Sequence, residues 1–488
     1  MRAPPRLALV AAALLAASAR AGSNLPADDP AWDLLRDSIA EGRIADPLGG
    51  VQTLDRDRLP PPLRGPTRPD DAWVTPQERL TVRLAGADEH DRPYSLPLRS
   101  RDLAGFIGLS CEYQEGRPCG DGAGAALELD SAAGWGELLT AATRLRASAG
   151  TADFANQLVL DRAYLKIESG PFLAEIGRDV IALGPSVRSA LMVSRNAVPQ
   201  DGLRLQLHPV AFPFAPDVRI SLLYFIDRLR QPQTFRGTLL DCARAQLDFG
   251  QRVQLGGSRM LELGGEGAPD YGGLGGFILE HFGRTREGAG TAENNRLSFD
   301  LSVRVPELSG ARVYYEIAFE DTRQAFFNSV RYDADHLLGL EVRALRLGPW
   351  RRLLVELEHT GWVSQEHWLF TSGMTNGGRT LGSALGPDGT SLWVRADLEF
   401  GAVQLSPWAE WLRFVSDRYG SDQATGVFVT SVGPMEHRQR LGADARLTLA
   451  RSWFVTGGVF GERIANADLV NGSTRYSAGL RAALAWTP

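Results

Sequence analysis

Three stretches place rings, carboxylates and guanidinium groups at alternate positions. In ARVYYEIAFED, Tyr314, Glu316 and Glu320 share one parity, while Val313, Tyr315, Ile317 and Phe319 share the other. In SLWVRADLEF, Trp393, Arg395, Asp397 and Glu399 oppose Leu392, Val394, Ala396, Leu398 and Phe400. In RLLVELE, Glu356 and Glu358 oppose Leu353, Val355 and Leu357. A flat ring stacks on the apolar face of a sugar, and planar polar groups pair with its hydroxyls, so these sets can grip a carbohydrate. The same charges can equally pair with one another and brace the wall of a polar interior.

Other chemistries find little support. The chain has no G-x-S-x-G, H-E-x-x-H or P-loop pattern, so no catalytic role is expected. The seven histidines are scattered. His359 and His367 lack ligand-like companions and read as lumen or loop residues, so neither metal nor cofactor is expected. Cys111 and Cys119, in CEYQEGRPC, either close a small disulfide loop or stay as two thiols, and Cys242 has no evident partner. Lys166 is the only lysine beside 51 arginines. Arginine forks bind carboxylates, phosphates and sugar hydroxyls and stack on rings. A nucleic-acid partner is not expected.

The elements that must position these residues are strands. From about residue 100 to the end, short segments alternate apolar and polar residues between Gly- and Asp-rich turns. In the last, Tyr476, Ala478, Leu480, Ala482, Leu484 and Trp486 point one way, and Ser477, Gly479, Arg481 and Ala483 the other. HLLGLEVRA repeats the pattern. Residues 1–21 read as a signal peptide: Arg2 and Arg6, the apolar run LALVAAALLAA, then Ala19-Arg20-Ala21. Its removal takes three arginines and moves the formal charge from −6 to −9. No later apolar run reaches the ~20 residues of a membrane-spanning helix. Nearly 390 residues of consecutive strands would leave a sandwich with exposed edges, whereas a closed barrel has none. The expected fold is therefore all-β: a transmembrane antiparallel barrel over 98–488, on the order of 16 to 20 strands, integral to the outer membrane and in contact with its lipid. Long Gly-rich stretches, GGEGAPDYGGLGG and FTSGMTNGGRTLGSALGPDGT, would be outer loops or an inward-folded plug.

Residues 22–97 differ. DDPAWDLLRDSIAEGRI predicts a short helix with Asp29 as N-cap, Pro30 at the first position, and Trp32, Leu35 and Ile39 as its apolar stripe. TPQERLTVRLA predicts a second helix, capped by Thr75 with Glu78 three residues on. A Pro-rich linker separates them, and the region reads as a periplasmic helical element.

Several segments resemble the Wzi family of capsule-assembly outer-membrane proteins. GRDVIALGPSVRSALMVSRNAVPQDGLRL is similar to the family's Gly-Arg, Trp-Gly-Pro-Gly and Ser-x-Asn-Ala-x-Pro series. The matching positions are Gly177, Arg178, Gly184, Pro185, Ser194, Asn196, Ala197 and Pro199; Leu183 and Ser186 depart from it. VYYEIAFED matches through Tyr314, Glu316, Glu320 and Asp321, VELEHT through Glu356 to Thr360, and GGRTLGSALGPDG resembles the family's Gly-rich loop. The resemblance implies an 18-stranded barrel with a small periplasmic helical element. It also implies a role in capsule or exopolysaccharide assembly, by binding the glycan at the surface or by joining its export with periplasmic components. It adds Arg178 and Asp321 to Tyr314, Glu316, Glu320, Trp393 and Arg395 as candidate polysaccharide-binding residues. Charge reversal of Arg178 or Arg395 is expected to weaken polysaccharide display. The competing reading is a general or sugar-specific porin.

Overall fold

The computed structural model describes residues 23–26, 28–54, 59, 72–89, 112–117, 120–136, 138–152, 154, 156–270, 273, 275–276, 293–320, 329–345, 347–415, 417–422, 426–431, 433–450 and 452–487. Eighteen strands form one sheet, each antiparallel to its neighbours in the chain. The first strand, Ala72–Asp88, pairs with both the second, Gly122–Trp135, and the last, Thr474–Trp486, so the sheet closes into a barrel. Closure satisfies every ladder without a free edge, as hydrocarbon requires.

The two faces follow the alternation. Leu338, Leu357, Leu392, Leu441, Val459 and Leu480 are exposed on the outside, and Glu341, Glu356, Glu358, Arg440 and Glu462 are buried inside. Trp135, Phe249, Trp350, Phe400, Trp453 and Trp486 cluster at the end where strands join by short turns, with Trp453 and Trp486 rings 6.0 Å apart. Aromatic rings at that level mark a membrane–water boundary, and the short turns identify this end as the periplasmic one. His359 lies on the outer face, stacked on His336 at 6.4 Å, and not in the lumen or a loop.

The N-terminal expectations need two corrections. The helix, α1, spans Ala31–Ala40 and starts one residue later than expected; Pro30 takes the cap position, while the Asp29 carboxylate still accepts from the Ala31 N–H at 2.9 Å. The segment expected as a second helix is instead the first strand, so the barrel begins at Ala72 and not at 98. Its pairing slips between Thr75 and Arg79. That bulge carries the Pro-Gln-Glu triplet and breaks the alternation locally, which made a capping box look credible. Residues 1–21, Asp321, Cys111 and Cys119 lie outside the described residues.

The lumen is filled from both ends. Near the short-turn end α1 lies inside the wall. Asp37 pairs with Arg343 at 2.8 Å, and Asp33 with Arg446 at 3.2 Å and Arg352 at 3.7 Å. Trp32, Leu35 and Ile39 bury against Leu25, Leu54 and Leu59. From the other end, 180–199 and 360–388 fold inward, so the second Gly-rich stretch is an inward plug. Leu191, Met192, Val193, Met374 and Leu381 form one buried cluster with wall residues Tyr314, Leu337 and Leu354. The two fillings meet mid-barrel, where Val51 bridges Leu183 and the Gly184 N–H donates to Gly50 O at 3.0 Å.

Candidate functional site

The residues singled out from the sequence divide by location. Arg178, at the outer end of strand Phe172–Asp179, grips Asp201 with two bonds of 2.5 and 2.9 Å and donates to Leu160 O at 2.8 Å. Its fork is occupied by the wall. Tyr314 is sealed beneath Gly339 and donates its hydroxyl to Glu356. Glu356 also accepts from Ser186 Oγ at 2.7 Å. Ser186, one of the two motif departures, thus ties the inward loop to the wall. Glu316 accepts the Leu191 N–H at 3.3 Å, and Glu320 pairs with Arg296 and accepts the Gln365 N–H at 2.6 Å. In this structure all four hold wall or inward loops in place.

The Ser-x-Asn-Ala-x-Pro loop segment performs the same task. Ser194 Oγ donates to Gly382 O at 2.6 Å, and Asn196 Nδ2 donates to Thr380 at 2.8 Å, so 180–199 is pinned to 360–388. Gly184 has φ +95°, and a Cβ there would sit 2.9 Å from the Glu316 carboxylate. Leu183, where the resemblance calls for tryptophan, is fully buried in the lumen cluster.

Trp393 joins the same lumen cluster, yet it and Arg395, a quarter exposed, also reach open space. They face a cavity of about 480 Å³ that runs along the wall beside α1 and the inward loops. It extends from Asp33 near the short-turn end to Gly120 and Phe154 near the long-loop end. Small inward residues make the room: Gly124, Ala126, Gly458 and Ala483 line it where a larger lumen residue would fill it. Nine arginines line it (Arg83, Arg117, Arg188, Arg195, Arg352, Arg395, Arg440, Arg446, Arg481) against six carboxylates (Asp28, Asp33, Glu112, Glu128, Glu410, Asp444). The cavity is therefore cationic by three formal charges inside a chain of net charge −6.

Aromatic rings and guanidinium planes alternate through this space. Arg188 lies over Trp393 at 5.0 Å and over Tyr113 at 5.6 Å. Arg440 lies 5.5 Å from both Trp408 and Phe460. Glu410 holds both arginines, at 2.7 Å to Arg188 and 2.8 Å to Arg440. Lower down, Asp444 is shared by Arg481 at 2.7 Å and Arg395 at 3.8 Å. Asp444 is thus outnumbered by its arginines, leaving N–H donors for a further anion, whereas Arg188 and Arg440 also meet Glu112, at 2.6 and 3.9 Å. The buried Nε atoms of Arg440 and Arg446 have no hydrogen-bond partner in this structure.

Loop carboxylates around the cavity respond in opposite directions. Burial and the nearby Glu410 push Glu112 up to about 7, against the pull of Arg188 and Arg440. Burial also opposes ionisation of Glu115, but Arg162, Arg117 and Arg144 outweigh it and bring Glu115 down to about 2. Asp33 on α1 is likewise held well below the usual carboxylate range, its burial overcome by Arg352, Arg343 and Arg446. Glu115 and Asp33 are permanent anions of the scaffold, whereas Glu112 can gain a proton near neutrality.

Sequence reasoning missed most of this site. Arg440, Arg481, Trp408 and Asp444 occupy inward positions of alternating strands, a legible signal. Tyr113 and Arg188 come from loops whose inward folding no local pattern reveals.

Residues 108–478 match the family model for capsule assembly protein Wzi. The chain belongs to this family. A comparison with curated proteins gave no match by sequence. Among solved structures, the barrel resembles Wzi of Escherichia coli with a TM-score of 0.67 at 14% identity, over 96% of this chain and 100% of that one. That protein is described as an outer-membrane protein involved in group 1 capsule assembly and a carbohydrate-binding β-barrel. OccD3 of Pseudomonas aeruginosa gives a TM-score of 0.47 at 10% identity, over 91% of this chain and 94% of that one. Family membership and fold agree with the 18-stranded outer-membrane barrel and the assembly role implied by the sequence motifs.

Proposed function

We propose that this capsule-assembly barrel binds an acidic surface polysaccharide in the cavity beside α1, without chemistry on the glycan. Trp393, Trp408 and Phe460 offer faces for sugar rings, and Arg395, Arg481, Arg440 and Arg446 offer donors for carboxylates or phosphates of the polymer. The observation that carries the reading is the excess of arginine over carboxylate at this one lumen wall, in a chain that is otherwise acidic. A polyanion approaching an acidic protein is repelled unless local cations focus the field, and this cavity supplies them. The filled lumen supports binding over free diffusion: α1 and the inward loops occupy the space that a porin leaves open.

Two measurements test this. Purified barrel should bind the producing strain's acidic polymer, and its carboxyl-reduced form at least tenfold more weakly; equal affinity for both would remove the role of the arginines. In a deletion strain, polymer released into the medium identifies surface anchoring, and polymer held in the periplasm identifies an export role with periplasmic components. Normal display in that strain would contradict the assembly role.

A further inference from the structure

The outer face carries a cationic patch at the long-loop end. Arg413 lies directly across from His437 on the neighbouring strand. Arg463 stands on the next strand, paired with Gln439, two positions along from His437. Inward neighbours alternate with them: Leu412, Arg438 and Glu462 are buried, while Arg413, His437 and Arg463 are exposed. All three therefore point away from the lumen. Directly beneath them the outer face turns apolar, through Trp411, Leu441 and Val459. The patch thus sits at the edge of the apolar band, at the end opposite the aromatic cluster of Trp453 and Trp486.

Among the described residues the two arginines have no acidic partner. Arg413 makes one long bond, 3.5 Å to Thr390 Oγ1, and no ion pair joins Arg413, His437 or Arg463 to a carboxylate among the described residues. On the inner face of the same strand as His437, by contrast, Arg438 is matched by Glu436 at 2.6 Å. An unpaired guanidinium at a lipid boundary is costly unless a headgroup neutralises it, and its fork suits phosphate oxygens. In an outer membrane the outward-facing leaflet is built from phosphorylated glycolipid. We propose that Arg413, His437 and Arg463 form a docking site for the phosphate of an outer-leaflet glycolipid, whose acyl chains run down over Trp411, Leu441 and Val459. The inference rests on the outer-membrane placement and is independent of the lumen cavity. Its consequence is a fixed lipid on the wall beside the strands that carry Trp408, Glu410 and Arg440.

The test uses the full barrel in neutral phosphatidylcholine nanodiscs doped with bisphosphorylated lipid A, read by native mass spectrometry. Wild-type protein should retain lipid A, and the double variant Arg413→Gln/Arg463→Gln should retain at least tenfold less. Dephosphorylated lipid A should be held no better than phosphatidylcholine, and inorganic phosphate alone should not compete at millimolar concentration. Heat-modifiable migration on gels confirms that the variant is folded, and its unchanged polysaccharide binding separates this site from the lumen. Equal retention of lipid A by folded wild type and variant, or of dephosphorylated lipid A by wild type, would overturn the proposal.

Discussion

Arg395 and Arg178 give the most informative pair of substitutions, because the sequence nominates both and the structure separates them. Arg395 opens on the cavity and is a quarter exposed, with Asp397 at 2.8 Å and Asp444 at 3.8 Å. Neutralising it by Arg395→Gln removes one charge facing a bound carboxylate. At a separation of about 6 Å, with an effective dielectric between about 20 and bulk water, that loss is roughly 0.7–3 kcal/mol. Affinity for the acidic polymer should fall about 3- to 150-fold, and by less at high salt, where screening has already weakened the interaction. Arg178→Gln breaks the Asp201 fork at the wall and leaves the cavity untouched, so its affinity should stay within about twofold. The assay is calorimetric titration of purified barrel with size-fractionated polymer, at two salt concentrations. If Arg178→Gln loses affinity while Arg395→Gln keeps it, the cavity is the wrong place.

Other outcomes follow from the same geometry. Glu112 carries a raised pKa of about 7, so acidification through neutrality removes a negative charge from the cavity. Affinity for the polyanion should therefore rise several-fold from pH 8 to pH 6, and Glu112→Gln should flatten that profile. By linkage the folded barrel binds this proton above the ordinary carboxylate range, so the group's contribution to stability declines as pH rises from about 4.5 to 7. Removal of 31–40 should release the inner filling held by Asp33 and Asp37, giving larger single-channel conductance than wild type in planar bilayers; unchanged conductance would refute its role as a plug. Gly339→Val should impair barrel assembly by about 1–3 kcal/mol or more, since even a Cβ there would lie 2.0 Å from the Tyr314 ring. Undiminished heat-modifiable folding would contradict that packing.

Much of the fold was legible in the sequence because a wall between lipid and water writes its solvent into every second residue. Leu338, Leu340 and Val342 against Gly339, Glu341 and Arg343 is such a record. It failed where the period failed, at the bulge between Thr75 and Arg79. The apolar stripe of α1 was also readable, but its position was not. Its anchors Arg343, Arg352 and Arg446 lie more than 300 residues away along the chain. The candidate site was half legible for a related reason. Trp393 and Arg395 announce an inward face, yet so do Tyr314, Glu316 and Glu320. What distinguishes them is whether a loop folds down over them, as 180–199 does over Tyr314 and Glu316. Where small residues such as Gly458 and Ala483 leave space, the same kind of side chain faces a cavity.

The central claim, that the glycan lies against the arginine-rich wall, is tested most directly by photo-crosslinking. A diazirine-bearing oligosaccharide of the strain's own acidic polymer would be bound to purified barrel in nanodiscs, irradiated, and its adducts mapped by mass spectrometry. Adducts are expected on peptides carrying Trp393, Trp408 and Phe460, suppressed by excess unlabelled polymer. Competable adducts confined to the outer loops, with none at these rings, would contradict that claim.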